Sequence, residues 1–423
     1  MLTGTQDSEE IIERVAALDI GKAGLVCCAR VPDEDRGGKR MQEAGTCSAM
    51  TRSLLPMSDR LRCPGVTRVV TEATSDYRKP VFCLLEAAGF GTWLVNARDV
   101  KHLPGRPRTG KLDAVWLCKV AGRQMLRPGF VPPPPVRKLR DLTRYRADLV
   151  AARTAEKQRA EKLLEDAQIK LPVVASDIFG VSGRDMMAAL AAGERNPEVP
   201  AQLARRSMRA RITALEEAFT GHFTDHHAFL PGTMPGRADA ISADIAALEA
   251  RIEAHAVPFA AAAARLDEIP GINLAAAHVI LAEIGLDMAR FPTAGHLVSR
   301  ARLAPGVKES AGKKKGRGSA GHGNPYLARV PGNAAAAAGK TGTFLGERYR
   351  RIARRRGSKR AIVAIGRSIL VIIWHLPADP GAQFRDLGPG FYAARTDPER
   401  RKRGHVRQLE EPGYTVTLQP AAA

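Results

Sequence analysis

The pattern of apolar and polar positions in the first 130 residues predicts alternating strands and helices. The segment "VAALDIGKAGLVCCARV" (15–31) predicts a strand, a glycine-containing turn and a second strand. Another strand is predicted at 66–73, a helix at 78–90 and a further strand at 92–96. Because this alternation is typical of layered α/β folds, we expect an α/β domain that ends at the proline run "VPPPPV" (131–136).

Beyond the proline run the pattern becomes helical. Leucines recur among charged residues from Arg137 to Leu171, and in 238–256 the apolar positions repeat at spacings of 4, 3 and 4 (Ile241, Ile245, Leu248 and Ile252). Such stripes predict an antiparallel helical arm, a coiled coil between subunits, or helices packed within one subunit. From Leu266, "LDEIPGINLAAAHVILAEIG" predicts a helix, a Pro-Gly turn and a second helix.

These changes in pattern define four predicted regions. They are an α/β domain at 1–136, a helical arm or coiled coil at 137–262, a mainly α C-terminal domain with a helix-hairpin-helix-like segment at 263–390, and a basic tail at 391–423.

The charge of the chain indicates a polyanionic partner. Its 65 lysines and arginines outnumber 44 acidic residues, which gives a net charge of +21. Nucleic acid is the first candidate and an anionic membrane the second. The longest apolar run, "AIVAIGRSILVIIW", is shorter than the roughly 18 residues of a membrane span and contains Arg367, so we expect a buried helix. The polar N-terminal segment and six cysteines without a CxxC pair predict a reduced, cytoplasmic protein.

The positive charge is concentrated in residues 308–360. Fifteen basic residues there face only Glu309 and Glu347, a net of +13. A solvated charged face would explain such a run, but the neighbouring glycines and turns favour a phosphate-binding surface. The predicted nucleic-acid-binding residues are Lys313, Lys314, Lys315, Arg317, Arg350, Arg351, Arg354, Arg355 and Arg356.

Three acidic residues and one serine are the candidates for chemistry. Asp19 interrupts an apolar strand, Glu72 ends another, and Asp113 opens a predicted helix. If they converge, their carboxylates could hold Mg²⁺ for phosphodiester chemistry, although a surface glutamate or a helix-capping aspartate is the commoner explanation of each residue alone. Ser310 precedes Lys313 in a predicted loop. It could be a nucleophile that attacks a phosphate whose charge the lysine neutralises, or it could be an ordinary loop serine.

These motifs, in this order, resemble the DEDD transposases of bacterial insertion sequences, which are related to the Piv DNA invertases. "ALDIG" carries the first aspartate of that family at Asp19, "VVTEATSDY" the glutamate at Glu72, and "GKLDAVWL" the last aspartate at Asp113. "ESAGKKKG" matches the segment that contains the family's nucleophilic serine, at Ser310.

The resemblance implies a fold, a reaction and a set of partners. It implies a RuvC-like, RNase H-like N-terminal domain and a second transposase domain that carries the serine. Such enzymes excise and insert an element by DNA strand exchange, with Mg²⁺ at the acidic site and a covalent serine–DNA link. Some members are guided by a structured bridge RNA. In those, the helical arm helps to assemble a dimer or tetramer in which the acidic site of one subunit meets the serine of another. A cytoplasmic, nucleoid-associated protein follows from the same resemblance.

One position departs from the family pattern. The family has two aspartates three residues apart here, and Gly110 stands where the first belongs. Positions i and i+3 share a helix face, so the missing aspartate would have faced the same Mg²⁺ as Asp113, and its absence should weaken Mg²⁺ binding. Either a neighbouring acid such as Asp99 fills the gap, or three carboxylates suffice. Pro331 lies inside a predicted helix and should break one of its turns, at a cost of about 3 kcal/mol. Together with Gly110, it would suit a copy of the element that is accumulating inactivating mutations.

The sequence therefore supports three functions. The first is a DNA transposase or recombinase, impaired at Gly110 if the fourth carboxylate is essential. The second is a relic that binds DNA and RNA without cutting. The third is a junction-type nuclease that uses only the acidic site and has no need of Ser310.

Overall fold

The computed structural model describes residues 12–36, 39–73, 75–106, 110–306, 309–314, 323–379, 381–395 and 397–419. The chain divides into two compact units, Met1–Val131 and Pro132–Ala423, and the division falls at the start of the proline run. The first unit is α/β and the second is almost entirely helical, so the predicted α/β N-terminal part and helical C-terminal part are confirmed.

The first unit alternates strands and helices along the chain. Its elements are β1 (Val15–Ile20), β2 (Gly24–Pro32), β3 (Arg40–Ser48), α1 (Thr51–Arg62), β4 (Arg68–Glu72), α2 (Arg78–Ala87), β5 (Gly91–Val95), α3 (Ala97–Lys101) and α4 (Gly110–Gly122). The predicted strands and helix between positions 15 and 96 are all present. The hydrophobic pattern did not single out β3 or α1.

The strands form one mixed sheet in the order β3-β2-β1-β4-β5. A hairpin at Gly21–Gly24 makes β1 and β2 antiparallel, and β3 is antiparallel to β2. β4 lies parallel to β1, and β5 lies parallel to β4. The register between β1 and β4 pairs Leu18 with Thr71, so the next positions along both strands are Asp19 and Glu72.

Strand alternation sends successive side chains to opposite faces of this sheet. On one face, Val15, Ala17 and Val70 pack against the apolar side of α4. On the other face, the alternate residues of β1 pack with α1 and α2. Because Asp19 and Glu72 continue the rows of Ala17 and Val70, both carboxylates belong to the face that α4 covers.

In its described residues, the second unit consists of helices and one short hairpin. Its helices are α5 (Pro134–Asp166), α6 (Leu171–Val174), α7 (Val181–Ala191), α8 (Glu198–Gln202), α9 (Ile212–Phe219), α10 (Asp225–Ala256), α11 (Ala260–Asp267), α12 (Leu274–Ile284), α13 (Ala294–Arg300), α14 (Pro325–Ala338), α15 (Phe344–Arg356), α16 (Ser358–Ala378), α17 (Phe391–Ala394) and α18 (Pro398–Glu410). The hairpin is β6 (Glu309–Ser310) with β7 (Lys313–Lys314), and 3₁₀ turns occupy Arg206–Arg211, Val257–Phe259 and Met288–Arg290.

The long helices α5 and α10 pair with each other within this chain. Arg146 contacts Glu249 and Arg153 contacts Ser242. Contacting residues therefore have rising numbers along α5 and falling numbers along α10. The two helices are therefore antiparallel, which fits both an antiparallel helical arm and helices packed within one subunit. The end of α5 and the start of α10 share a separate apolar core with α7, α8 and α9.

The predicted helix, Pro-Gly turn and helix are α11 and α12. Gly271 in the turn has a φ of +87°, and a Cβ there would lie 2.6 Å from the carbonyl oxygen of Ala334 in α14. Only glycine suits both the left-handed backbone and this close approach. The turn therefore seats α14 against α12 in the C-terminal core.

The expectation that Pro331 breaks a helix is wrong. α14 runs without interruption from Pro325 to Ala338, and Pro331 is buried within it. A Cβ at Gly366 of α16 would lie 3.4 Å from the Pro331 carbonyl oxygen, so the backbones of α14 and α16 approach closely at this point. Packing keeps the helix intact, while the proline still lacks one N–H donor.

The apolar helix α16 corrects a second expectation. With 21 residues it is long and apolar enough to cross a membrane by length and composition, because the helix extends beyond the apolar run at both ends. One side of it nevertheless lies in the core of the second unit, as the predicted buried helix requires. The buried residues are Ala361, Ile365, Gly366, Ile369, Leu370, Ile373 and Leu376.

Candidate active site

The three candidate carboxylates of the first unit come together. Asp19 lies one residue before the end of β1, Glu72 is the last residue of β4, and Asp113 lies in the first turn of α4. Together with Leu18 and Leu117 they line one narrow pocket. Strand register supplies two of the carboxylates, and the packing of α4 on the same sheet face supplies the third.

Arg106 binds two of these carboxylates. Its Nε donates to Asp113 Oδ1 at 3.0 Å, and its Nη2 donates to Asp113 Oδ2 at 2.6 Å. Nη2 also donates to Glu72 Oε2 at 3.2 Å. Nη1 lies 2.9 Å from Glu72 Oε1 in an ion pair that lacks the alignment of a hydrogen bond.

Burial and mutual charge change the protonation equilibria of the cluster. Burial raises the pKa of Asp19, the charge of Asp113 raises it further, and Arg106 opposes both. Burial likewise raises the pKa of Glu72, although the hydrogen bond from Arg106 lowers it. The hydrogen bond to Asp113 raises the pKa of Arg106, which stays charged. The cluster is therefore an arrangement of like charges that one guanidinium partly compensates.

The acidic cluster supplies the oxygen ligands that Mg²⁺ prefers, but its present geometry does not fit the ion. Among the described residues, no group of three histidine, cysteine, aspartate or glutamate side chains is arranged to hold a metal. Arg106 takes the carboxylate oxygens of Glu72 and Asp113 that an ion would need.

The structure also bears on the position that lacks a carboxylate. α4 begins at Gly110, one turn before Asp113, so an aspartate there would lie on the same helix face. Asp99, the neighbouring acid that could fill the gap, is exposed on α3 and does not line the pocket. The cluster in the described part of the chain therefore contains three carboxylates.

Ser310 lies in the second unit, in the hairpin of β6 and β7. Its register partner is Lys313, and the connecting residues Ala311 and Gly312 have φ values of +51° and +73°. Two successive positive φ values are typical of a tight two-residue hairpin turn. Lys315 and Arg317, also predicted to bind nucleic acid, lie outside the described residues.

A buried carboxylate in the same unit was not predicted. Glu283, at the end of α12, is fully buried and accepts two hydrogen bonds from Arg144 of α5, at 2.6 and 2.9 Å. Asn324 also donates to Glu283, and its side-chain oxygen caps the start of α14. Burial alone would raise the pKa of Glu283, but these hydrogen bonds and the charges of Arg140 and Arg144 outweigh it, so the pKa lies below its usual value.

The predicted nucleic-acid-binding arginines of α15 differ in their contacts. Arg350 donates to the carbonyl oxygens of Gly339 and Thr341 at 3.1 and 2.8 Å. The guanidinium of Arg351 lies 4.2 Å from the ring centroid of Tyr392. Arg354, Arg355 and Arg356 are exposed in the last turn of the helix. These last three present their charge to solvent, whereas Arg350 stabilises a turn.

Sequence reasoning missed Arg106 and Glu283 for different reasons. Arg106 follows Pro104 and Gly105 in a basic loop, where no periodicity separates a cluster-facing arginine from a solvent-exposed one. The available signal was that the loop leads directly into the helix of Asp113. Glu283 is a lone acid in an apolar helix, which is a sign of a buried ion pair whose partner is distant in sequence.

Two family models match the chain. Residues 16–169 match a transposase model for the DEDD enzymes of IS110 elements, and residues 263–350 match the model described as transposase IS116/IS110/IS902 family. The first match contains Asp19, Glu72, Arg106 and Asp113, and the second contains Glu283 and Ser310. No curated protein matches the chain.

Proposed function

The chain belongs to the IS116/IS110/IS902 family of transposases, and we propose that it excises and inserts an insertion sequence by DNA strand exchange. The convergence of Asp19, Glu72 and Asp113 at one pocket carries this proposal. The sheet order, with β4 and β5 parallel to β1 and an antiparallel β1-β2-β3 meander, supports the RNase H-like fold that the family resemblance implies.

We propose Ser310 as the nucleophile. In the proposed step its Oγ gives up its proton to water and forms a bond to a DNA phosphorus, the phosphodiester bond to the departing strand breaks, and the departing oxygen takes a proton from water. A serine needs its target phosphate to be charge-neutralised before it attacks. Lys313, the exposed register partner of Ser310, supports this role by bringing a cation to the same hairpin.

The remaining cofactor and partners also belong to the proposal. Mg²⁺ would enter the acidic cluster only if Arg106 released Glu72 and Asp113, so we assign the ion no step. The basic face of α15 supports binding of the DNA of the element ends and target, and of a structured guide RNA. We further propose, from the family resemblance, that the chain assembles as a homo-oligomer through the arm of α5 and α10 and acts in the cytoplasm, on the nucleoid.

Strand exchange on a plasmid that carries the element ends and the flanking non-coding RNA tests this function. The chain as it stands is compared with Gly110→Asp and with the uncharged control Gly110→Asn, in Mg²⁺ and in EDTA. We expect the aspartate variant to be the most active, and only in Mg²⁺, because it supplies a fourth oxygen ligand. We expect Ser310→Ala, but not the exposed control Ser207→Ala, to lose the covalent DNA adduct.

Two results would contradict the proposal. Cleavage that persists in Ser310→Ala would identify a nuclease that uses the acidic site alone. The absence of cleavage in every variant, with DNA binding retained, would identify a nucleic-acid-binding relic. The ion pairs of Arg106 and the missing carboxylate at Gly110 favour that relic as the second candidate.

A further inference from the structure

The turn that carries Arg106 is attached to the helix that carries Asp113. Trp116 of α4 donates from its Nε1 to the carbonyl oxygen of Pro104 at 3.2 Å. Gly105 follows with a φ of +76°, a left-handed conformation that glycine adopts without strain. The guanidinium of Arg106 lies 5.8 Å from the centroid of the Trp116 ring. Arg106 is thus directed into the acidic cluster by contacts within the first unit.

Arg106 contacts all four oxygens of two carboxylates. Each oxygen of Asp113 and of Glu72 lies between 2.6 and 3.2 Å from a guanidinium nitrogen. A planar guanidinium suits this arrangement because its donors form a rigid fork. A divalent ion needs the same oxygens at roughly 2.0–2.6 Å. Arg106 in this position and a metal ion bound between Glu72 and Asp113 therefore exclude each other.

The charge of the cluster increases this competition. Three carboxylates and one guanidinium leave two negative charges if all are ionised, and Gly110 adds none. The missing carboxylate therefore reduces the attraction for a divalent ion, while the attached cation remains. A tethered cation also competes without any loss of translational entropy.

We propose that Arg106 is an intramolecular counter-cation of the acidic cluster, which keeps divalent metal out until its guanidinium withdraws from Glu72 and Asp113. The inference rests on the proposed function only in taking this cluster as the reaction centre. Arg106 would then act as a positioning residue that determines when the cluster accepts a metal, rather than as a catalytic group.

Binding of Mn²⁺ to the full-length protein, measured by electron paramagnetic resonance of the free ion, tests this inference without DNA. We expect Arg106→Gln to bind one Mn²⁺ at least about tenfold more tightly than the unmodified chain, a change of about 1.4 kcal/mol. Arg106→Ala should do the same. Arg123→Ala is the matched control, because it removes one exposed positive charge from the same unit and should leave the affinity unchanged.

A second measurement keeps the test valid if a variant is unstable. Removing Arg106 leaves like charges close together, so the Tm of Arg106→Gln in EDTA should fall, and Mn²⁺ should restore it. Asp113→Asn introduced into the same variant should abolish this restoration. The inference is wrong if Arg106→Gln and Arg123→Ala respond equally to Mn²⁺, or if the unmodified chain binds Mn²⁺ as tightly as Arg106→Gln.

The inference and the proposed function can fail separately. If Arg106→Gln binds Mn²⁺ more tightly but no variant exchanges DNA strands, the proposed function is wrong and the role of Arg106 as a counter-cation is supported. If Mg²⁺-dependent strand exchange is found while Arg106→Gln leaves metal affinity unchanged, the counter-cation fails and the proposed function stands.

Discussion

At the scale of single residues, the carboxylates of the acidic cluster and of Glu283 show that burial can have opposite consequences. Burial raises the pKa of Asp19 and of Glu72, so both carboxylates lose their protons less readily in the folded protein than in water. Glu283 is buried more completely, yet its pKa is lowered, because Arg144 and Asn324 satisfy it with hydrogen bonds. The acidic cluster is thus suited to binding a cation, and Glu283 to holding helices together.

Replacing Glu283 should therefore destabilise the second unit in a pH-dependent way. Glu283→Gln removes the charge that pairs with the partly buried Arg144 while its own side chain stays fully buried, and we expect a loss of about 3 kcal/mol in the free energy of unfolding at pH 7. Since the folded-state pKa of Glu283 is depressed, its contribution is present above its unfolded-state pKa and is lost as the pH falls below that value. The difference between the two proteins should therefore shrink in acid.

Urea unfolding at neutral and acidic pH measures this difference. Glu249→Gln is the matched control, because Glu249 also pairs with an arginine of α5, but at a half-exposed site. That control should cost less than about 1 kcal/mol. Equal losses for the two variants at pH 7 would show that the burial of Glu283 has no energetic consequence.

At the scale of elements, α14 tolerates an internal proline because of its packing against α16. Pro331 lacks the N–H that the helix interior uses, and the helix remains continuous beside Gly366. We expect Pro331→Ala to raise the free energy of unfolding by about 1–3 kcal/mol, since it restores one backbone hydrogen bond.

Thermal unfolding of two further variants isolates that cause. Pro325→Ala changes a proline at the first position of the same helix, where the N–H has no helical partner, and should change stability little. Gly366→Ala would place a Cβ 3.1 Å from Cδ1 of Leu303, so Leu303 must shift, and the Tm of this variant shows whether the packing of α16 accommodates that shift. If Pro331→Ala proves no more stable than Pro325→Ala, the missing hydrogen bond carries no cost.

Elements with a clear hydrophobic periodicity could be predicted from the sequence. Elements that form only because they pair with a neighbouring strand could not. β1, β4 and α2 follow from alternation and helical spacing, whereas β3 has a largely exposed, polar pattern that pairing with β2 converts into a strand. The three carboxylates were found from their motifs. Arg106 was not, because its role depends on the direction of a loop rather than on spacing.

At the scale of the whole molecule, positive charge determines how the protein meets nucleic acid. The chain carries a net charge of +21, and residues 308–360 contribute +13 of it. Within that stretch, Arg350 is engaged by carbonyl oxygens, whereas Arg354, Arg355 and Arg356 face solvent. The affinity for phosphates should therefore depend on the exposed arginines, and the stability of the fold on the partly buried one.

Salt dependence separates these two roles. Each phosphate contact contributes about −0.9 to the slope of log affinity against log salt for duplex DNA. Replacing Arg354, Arg355 and Arg356 by alanine should make that slope shallower by up to about 2.7 and leave the Tm unchanged. Arg350→Ala should lower the Tm and leave the slope unaltered. If the triple variant binds duplex DNA and structured RNA with an unchanged slope, nucleic acid contacts another face of the protein, and the concentration of charge in α15 is a solvated surface.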